Sequence, residues 1–145
     1  MSICRTEHFN LTVPEGWADR SMITWVAPPR PGYKVLPNLL CSRGALQPGE
    51  DLNKFVNRQL KELMGQVKNF DLISRQETLF GGVPAVELSF RMRPQNVTLQ
   101  QRQIFFQRDP AGVDVQTLVM TAAREDFESL APVFAQILAS VSWNS

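Results

Sequence analysis

Between Asp71 and Ala122 the chain strings four extended runs together through three tight turns, and this pattern constrains the fold more than any other feature. Asp71 to Leu79 is strand-like, and Gly81-Gly82 supplies the positive-φ turn that a hairpin needs. Ala85 to Arg93 is the next run, and Pro94-Gln95-Asn96 turns the chain. Val97 to Arg108 is a long strand, Asp109-Pro110-Ala111-Gly112 is a strong turn, and Val113 to Ala122 closes the series. Links this short return each strand beside its predecessor. The segment is therefore an antiparallel meander.

Two helices bracket that meander. Gln47-Pro48-Gly49-Glu50-Asp51 gives a turn and acidic residues suited to a helix start. Beyond it Leu52, Phe55, Val56, Leu60, Leu63, Met64 and Val67 recur at helical spacing on one stripe. The last element spans Asp126 to Val141, with Phe127, Leu130, Phe134, Ile137 and Leu138 on its apolar stripe. Pro132 is harmless there if Ser129 is the N-cap, because a first turn has no intrahelical donors to lose. Ahead of the first helix, Phe9 to Val13 alternates with period two and ends at Pro14-Glu15-Gly16. Met22 to Val26 and Asn38 to Arg43 are further short strands, separated by a loop rich in proline. The expected architecture is α+β: a twisted antiparallel sheet with two main helices packed on one face, forming a single domain over residues 1–145.

Charge and cysteine usage narrow the function. Fifteen basic residues against 14 acidic leave a net charge of +1, and the Lys and Arg residues are scattered. A nucleic-acid binder or a basic membrane anchor needs them concentrated, so neither is expected. The first eight residues show no basic lead followed by an apolar stretch, and no run approaches the ~20 apolar residues that cross a bilayer. Cys4 and Cys41 lack metal-ligand spacing and suit a reducing compartment. The expected location is the cytoplasm. Asn10 and Asn96 begin glycosylation triplets that matter only in secreted chains.

Most catalytic chemistry lacks its residues. His8 is the single histidine and reads as a strand-edge or surface residue. There is no phosphate-binding Gly-x-x-x-x-Gly-Lys loop and no metal-ligand cluster. Glu125, Asp126 and Glu128 are adjacent acids, but they sit where a helix begins and suit its dipole. A carboxylate-only enzyme using Glu77 or Glu87 is the residual catalytic reading. The expectation is a protein that binds another protein, with no catalytic residues, no metal and no cofactor.

The sheet's second face points the same way. A sheet covered by helices on one side normally shows polar residues on the other. Here Leu99, Gln101, Gln103 and Phe105 oppose Ile104 and Phe106, and Met22, Thr24 and Val26 oppose Ile23 and Trp25. Asn38, Leu40 and Ser42 oppose Leu39 and Cys41. Both faces carry apolar side chains, and one mixes them with Thr24, Asn38, Ser42 and Gln103. Two readings stand: a self-contained core with a solvated rim or homodimer seam, or a surface that receives an apolar segment of a partner. In the second, the polar groups satisfy stray backbone groups of that segment, as polar side chains do between membrane helices.

Five short motifs run through the chain: Val13-Pro14-Glu15-Gly16-Trp17, Ser21-Met22-Ile23-Thr24, Leu40-Cys41-Ser42-Arg43, Phe55-Val56-Asn57-Arg58-Gln59-Leu60, and Leu99-Gln100-Gln101-Arg102-Gln103. In this order and spacing the chain resembles the Eag chaperones of type VI secretion, within the DcrB-related family with a PsbP-like fold. The resemblance implies a cytosolic homodimer that holds the N-terminal transmembrane helices of a secreted Rhs or PAAR effector. It implies contact with the secretion spike only through that effector, and no insertion into membranes by the chaperone itself. The client-contacting positions it implies are Met22, Thr24, Asn38, Ser42, Gln59 and Gln103. Met22 and Thr24 stand where relatives carry branched aliphatics, so the client or the fit differs. Gln59 lies on the polar side of its helix by periodicity, so its role rests on the resemblance. The alternative within the same fold is a PsbP-like binding or regulatory domain that recognises a folded protein or a small ligand.

Overall fold

The computed structural model describes residues 2–5 and 8–144, with side chains from His8 onward. Ten elements follow in order: β1 (Ser2–Arg5), β2 (Asn10–Val13), β3 (Met22–Val26), β4 (Asn38–Ala45), α1 (Leu52–Gln66), β5 (Asp71–Phe80), β6 (Val83–Met92), β7 (Leu99–Phe106), β8 (Asp114–Ala123) and α2 (Arg124–Ala139). A six-stranded sheet has the order β3-β4-β8-β7-β6-β5, and β1 and β2 form a separate two-stranded ribbon. Every pairing is antiparallel. The meander is as the turns dictate, and Gly81 and Gly82, at φ 56° and 82°, make the β5–β6 hairpin turn. Strand β1 had no counterpart among the expected elements.

Helix α1 starts where its sequence says it should. The Asp51 carboxylate accepts from the Lys54 amide at 2.8 Å, and Val67 closes the helix by donating to the Leu63 carbonyl. Helix α2 departs from expectation. It begins at Arg124, directly off β8, so Pro132 lies inside it. Ser129 is no cap: its hydroxyl donates back to the Asp126 carbonyl at 2.9 Å. Arg124 donates its amide to the Thr98 carbonyl, which ties the helix start to the sheet and leaves no room for a loop before residue 129.

The two helices lie on opposite faces of the sheet, not on one. Phe55 and Val56 of α1 pack with Val86, Leu88, Phe90, Phe105 and Val115. Phe134 of α2 packs with Ala85, Ile104, Phe106 and Met120. On β6, β7 and β8 these two sets are of opposite parity, so they project to opposite sides. The physical reason is that the central strands are apolar on both faces. Leaving either bare would expose side chains such as Phe90 or Phe106, each worth about 2 kcal/mol or more when buried. The chain's end finishes the second layer: Trp143 donates to the Gly81 carbonyl at 2.9 Å and meets Phe80 and Phe106 edge-on, with Arg108 over its ring.

Candidate functional site

Helix α1 covers only part of its face. Its core contacts reach β6, β7 and the start of β8, and Phe55 meets β4 at Gly44, which leaves β3, the Asn38-to-Ser42 part of β4 and the rest of β8 uncovered by the helix core on that side. The register assigns residues to this bare area. Met22 pairs with Ser42, Thr24 with Leu40 and Val26 with Asn38. Across the next ladder Ser42 pairs with Thr117, Leu40 with Val119 and Asn38 with Thr121. Val119 and Thr121 then pair with Gln103 and Gln101. Directly paired residues of an antiparallel ladder share a face. Met22, Thr24, Asn38, Ser42 and Gln103 therefore lie on one continuous surface beside α1.

That surface is graded. On the edge strand Met22 is 62% exposed, Asn38 and Ser42 are half-buried, and Gln103 is buried. Gln103 donates from Nε2 to Gln101 Oε1 at 3.0 Å, which leaves its own amide oxygen to accept a bond from elsewhere. Gln59 joins the group from the helix. It is half-buried and lines a cleft of about 320 Å³ together with Arg20, Ser42 and Thr117. All six positions named from sequence thus converge on one side of the sheet. Leu40, Thr117, Val119 and Thr121 belong to the same floor, and strand parity alone assigns them. Arg20, in the loop before β3, carried no sequence signal.

Ion pairs fix the walls at the Ser42 end. Arg58 is held by Glu50 through two 2.9 Å bonds and sits 5.0 Å from the Phe55 ring centre. Arg58, with help from the Gln47 amide, holds the Glu50 carboxyl below the usual carboxylate range. Asp19 accepts from the Ser21 amide and hydroxyl and from Arg43, and the Ser21 bonds are the main reason its carboxyl is also depressed. Gly44 faces Phe55, where a Cβ would meet the ring at 3.0 Å, so β4 and α1 approach closely at this end.

The other face offers a closed counterpart. Glu87, 6% exposed, accepts from Arg102 at 2.8 and 3.1 Å in a forked pair beneath α2. Glu125 meets Lys34 at 3.2 Å. Glu77 is exposed on β5, one residue from the Gln76 that pairs with Glu87, and projects to the opposite face of the sheet. The two residual catalytic candidates are thus separated by the sheet. No group of three or more metal-binding side chains occurs among the described residues, and no helix among them is long and apolar enough to cross a membrane. Cys41 lies on the α2 side of β4, where burial pushes its thiol up.

The DcrB family profile matches residues 9–140, nearly the whole described chain. The chain belongs to the DcrB family. This DcrB protein is 30% identical over 123 residues to Effector EagT6 of Pseudomonas aeruginosa strain PAO1, a match that covers 85% of this chain and 84% of that one. It is thus an Eag-type DcrB protein. Among solved structures it superposes on PA94 of Pseudomonas aeruginosa with a TM-score of 0.83 and 24% identity, over 100% and 98% of the two chains. LpqN of Mycobacterium tuberculosis, involved in cell envelope biogenesis, matches at 0.58 with 15% identity over 83% and 82%. The PsbP protein of Synechocystis sp. PCC 6803 matches at 0.52 with 13% identity over 90% and 83%. The DcrB chain therefore has the PsbP-like fold, an antiparallel six-stranded sheet between two helices.

Proposed function

We propose that this protein is a chaperone that lays an apolar N-terminal helix of a type VI secretion effector on the bare sheet surface beside α1. The observation that carries the reading is the make-up of that surface. Leu40, Val119 and Met22 supply apolar contact, while Thr24, Asn38, Ser42 and Gln103 are spaced among them on the same face. A uniformly apolar floor would bind any greasy segment and aggregate. A mixed floor rewards helices whose Gly and Ala residues bring backbone within reach of side-chain amides and hydroxyls. Likeness to EagT6, whose name marks it as effector-related, supplies the biological setting. Shielding such helices from water and from the producing cell's own membrane is a task for a cytoplasmic protein without catalytic machinery. Glu87 is committed to Arg102, which fits a role that needs no general acid.

Two copies complete the reading. Strand β3 ends the sheet, and Met22, Ile23, Thr24, Trp25 and Val26 are all exposed, on both faces. An edge strand bare on both sides invites a partner strand. A second copy there would join two bare surfaces into one cradle. The test is a charge in the floor. Ser42→Lys changes a half-buried side chain of the floor and places an ammonium under the client. Co-expressed with an effector's apolar N-terminal segment, wild type should hold the segment in solution and Ser42→Lys should lose it with unchanged Tm. Equal retention by the variant would contradict the proposal.

A further inference from the structure

The sheet has a second edge. Strand β5 ends it on the side away from β3, and no strand lies beyond it among the described residues. Proteins usually blunt such an edge with a bulge or with charge. Here the bulge, between Leu72 and Ser74, disturbs only the start of the strand, and from Ser74 to Phe80 the ladder to β6 is regular. The two-residue turn at Gly81-Gly82 makes Phe80 and Val83 a hydrogen-bonded pair. Alternation along the ladder then turns the backbone groups of Arg75, Glu77 and Leu79 outward. Arg75 does not guard them. Its guanidinium is drawn over α1, where it donates to the Asn57 side chain and the Asn53 carbonyl.

Clefts open on both faces of this stretch, and Thr78 and Leu79 border each of them. On the α1 side the cleft is about 630 Å³, walled by Leu52, Leu79, Pro84 and Val86. Glu77, Asp51 and Gln107 add acceptors to it. Asp51 keeps one carboxylate oxygen after accepting from the Lys54 amide, and Gln107 donates from Nε2 to the Gly112 carbonyl and keeps its amide oxygen. Glu77 is in no ion pair among the described residues, and no Lys or Arg lines the cleft. Acceptors set in apolar walls fit a cationic head on an aliphatic stem. On the α2 side the cleft is about 290 Å³, between Ile104, Ala135 and Leu138, and the acid that lines it, Glu87, is already neutralised by Arg102. That cleft fits a branched aliphatic side chain.

We propose that β5 is a strand-addition site for an extended segment of a partner protein in which basic and aliphatic residues alternate. The segment bonds through its main chain to Arg75, Glu77 and Leu79. Neighbouring residues of a strand point to opposite faces, so the basic side chains reach toward Glu77 and Asp51 while the aliphatic ones enter beside α2. A second copy paired through Glu77 would instead set two carboxylates side by side. The proposal does not rest on the client-helix reading, whose surface centres on β3, β4 and β8 toward the other edge.

The test titrates the full chain with a capped eight-residue peptide of alternating Lys and Val, followed by NMR. At saturation, amide exchange at Arg75, Glu77 and Leu79 should slow by about ten-fold or more. A peptide of alternating Glu and Val should bind about ten-fold more weakly or worse. Glu77→Lys should weaken the Lys-containing complex about three- to ten-fold. Leu79→Pro deletes an outward amide that the β5–β6 ladder does not use, and should abolish the protection at Arg75 and Glu77 with Tm retained. If that variant loses Tm, N-methylation of the peptide's alternate amides takes its place: methylating one set should abolish binding and methylating the other should not. No binding of the Lys-containing peptide, binding without slowed exchange at these amides, or equal affinity for the Glu-containing peptide would overturn the proposal. So would a dimer of the chain alone that Leu79→Pro dissolves, since β5 would then belong to a second copy.

Discussion

The Glu87–Arg102 pair gives the sharpest test of how the second layer is held. Glu87 on β6 and Arg102 on β7 are diagonal neighbours on the α2 side, since Ser89 is the residue that pairs with Arg102. The Glu87 side chain is 8% exposed and Arg102 supplies its side-chain bonds, at 2.8 and 3.1 Å. Arg102→Met keeps the aliphatic stem and deletes the guanidinium, which strands a carboxylate in a site that water barely reaches. Breaking one partner of a buried pair costs about 3–5 kcal/mol. Arg102 retains 29% exposure, so water softens the loss and the lower end, about 3 kcal/mol, applies. With a urea m-value of about 2 kcal/mol/M, the midpoint should fall by about 1.5 M. Glu87→Met combined with Arg102→Met removes both charges and fills the space with apolar atoms. The double variant should recover to within about 1 kcal/mol of wild type. Urea titration by circular dichroism gives all the values. A single variant within about 0.5 kcal/mol of wild type, the range of ordinary surface changes, would refute the reasoning. So would a double variant as unstable as the sum of the singles.

Other perturbations read other parts of the structure. Gly81→Ala forces a side chain onto a φ of 56° and puts its Cβ 2.8 Å from Val141 Cγ1 and 2.9 Å from Trp143 Cζ2, so the tail must lift. The expected result is about 2 kcal/mol of lost stability and a red-shifted Trp143 emission, and unchanged spectra would contradict the packing. The Glu50 carboxyl is depressed below its ordinary value of 4.5 by Arg58, so its contribution is present above that pH and is lost as pH falls through the lower folded value. Glu50→Gln should therefore flatten the acid side of the stability–pH profile below about pH 4.5, and a profile parallel to wild type would argue against it. If β3 pairs with a second copy as proposed, Trp25→Lys, at a side chain 69% exposed on that edge strand, should shift sedimentation from dimer to monomer, and an unchanged distribution would contradict the pairing.

Much of this architecture was legible because local rules sufficed. Gly81-Gly82 and Asp109-Pro110-Ala111-Gly112 are turns by their own chemistry, and Asp51 caps α1 with the carboxylate the sequence advertises. The placement of the helices was not legible. Ile104 and Phe105 are both buried, so parity in β7 shows two apolar faces without saying which helix covers which. The start of α2 was misread because Ser129 has the chemistry of a cap, whereas the bond from Arg124 to Thr98, set by sheet register, decides where the helix begins. Gln59 looks solvent-facing from periodicity, and only the approach of α1 to β4 at Gly44 and Phe55 brings it beside Ser42. Arg20 gains meaning from the same tertiary contact. Met22, Thr24, Asn38, Ser42 and Gln103 were legible as a face because strands alternate strictly, and the ladders β3–β4–β8–β7 place them together.

The most direct test of the central claim is the mass of the complex formed when this chain is co-expressed with the apolar N-terminal segment of an effector. The account predicts a soluble assembly of two copies of this chain with one such segment. An empty protein eluting alone, with the segment left in the insoluble fraction, would contradict it.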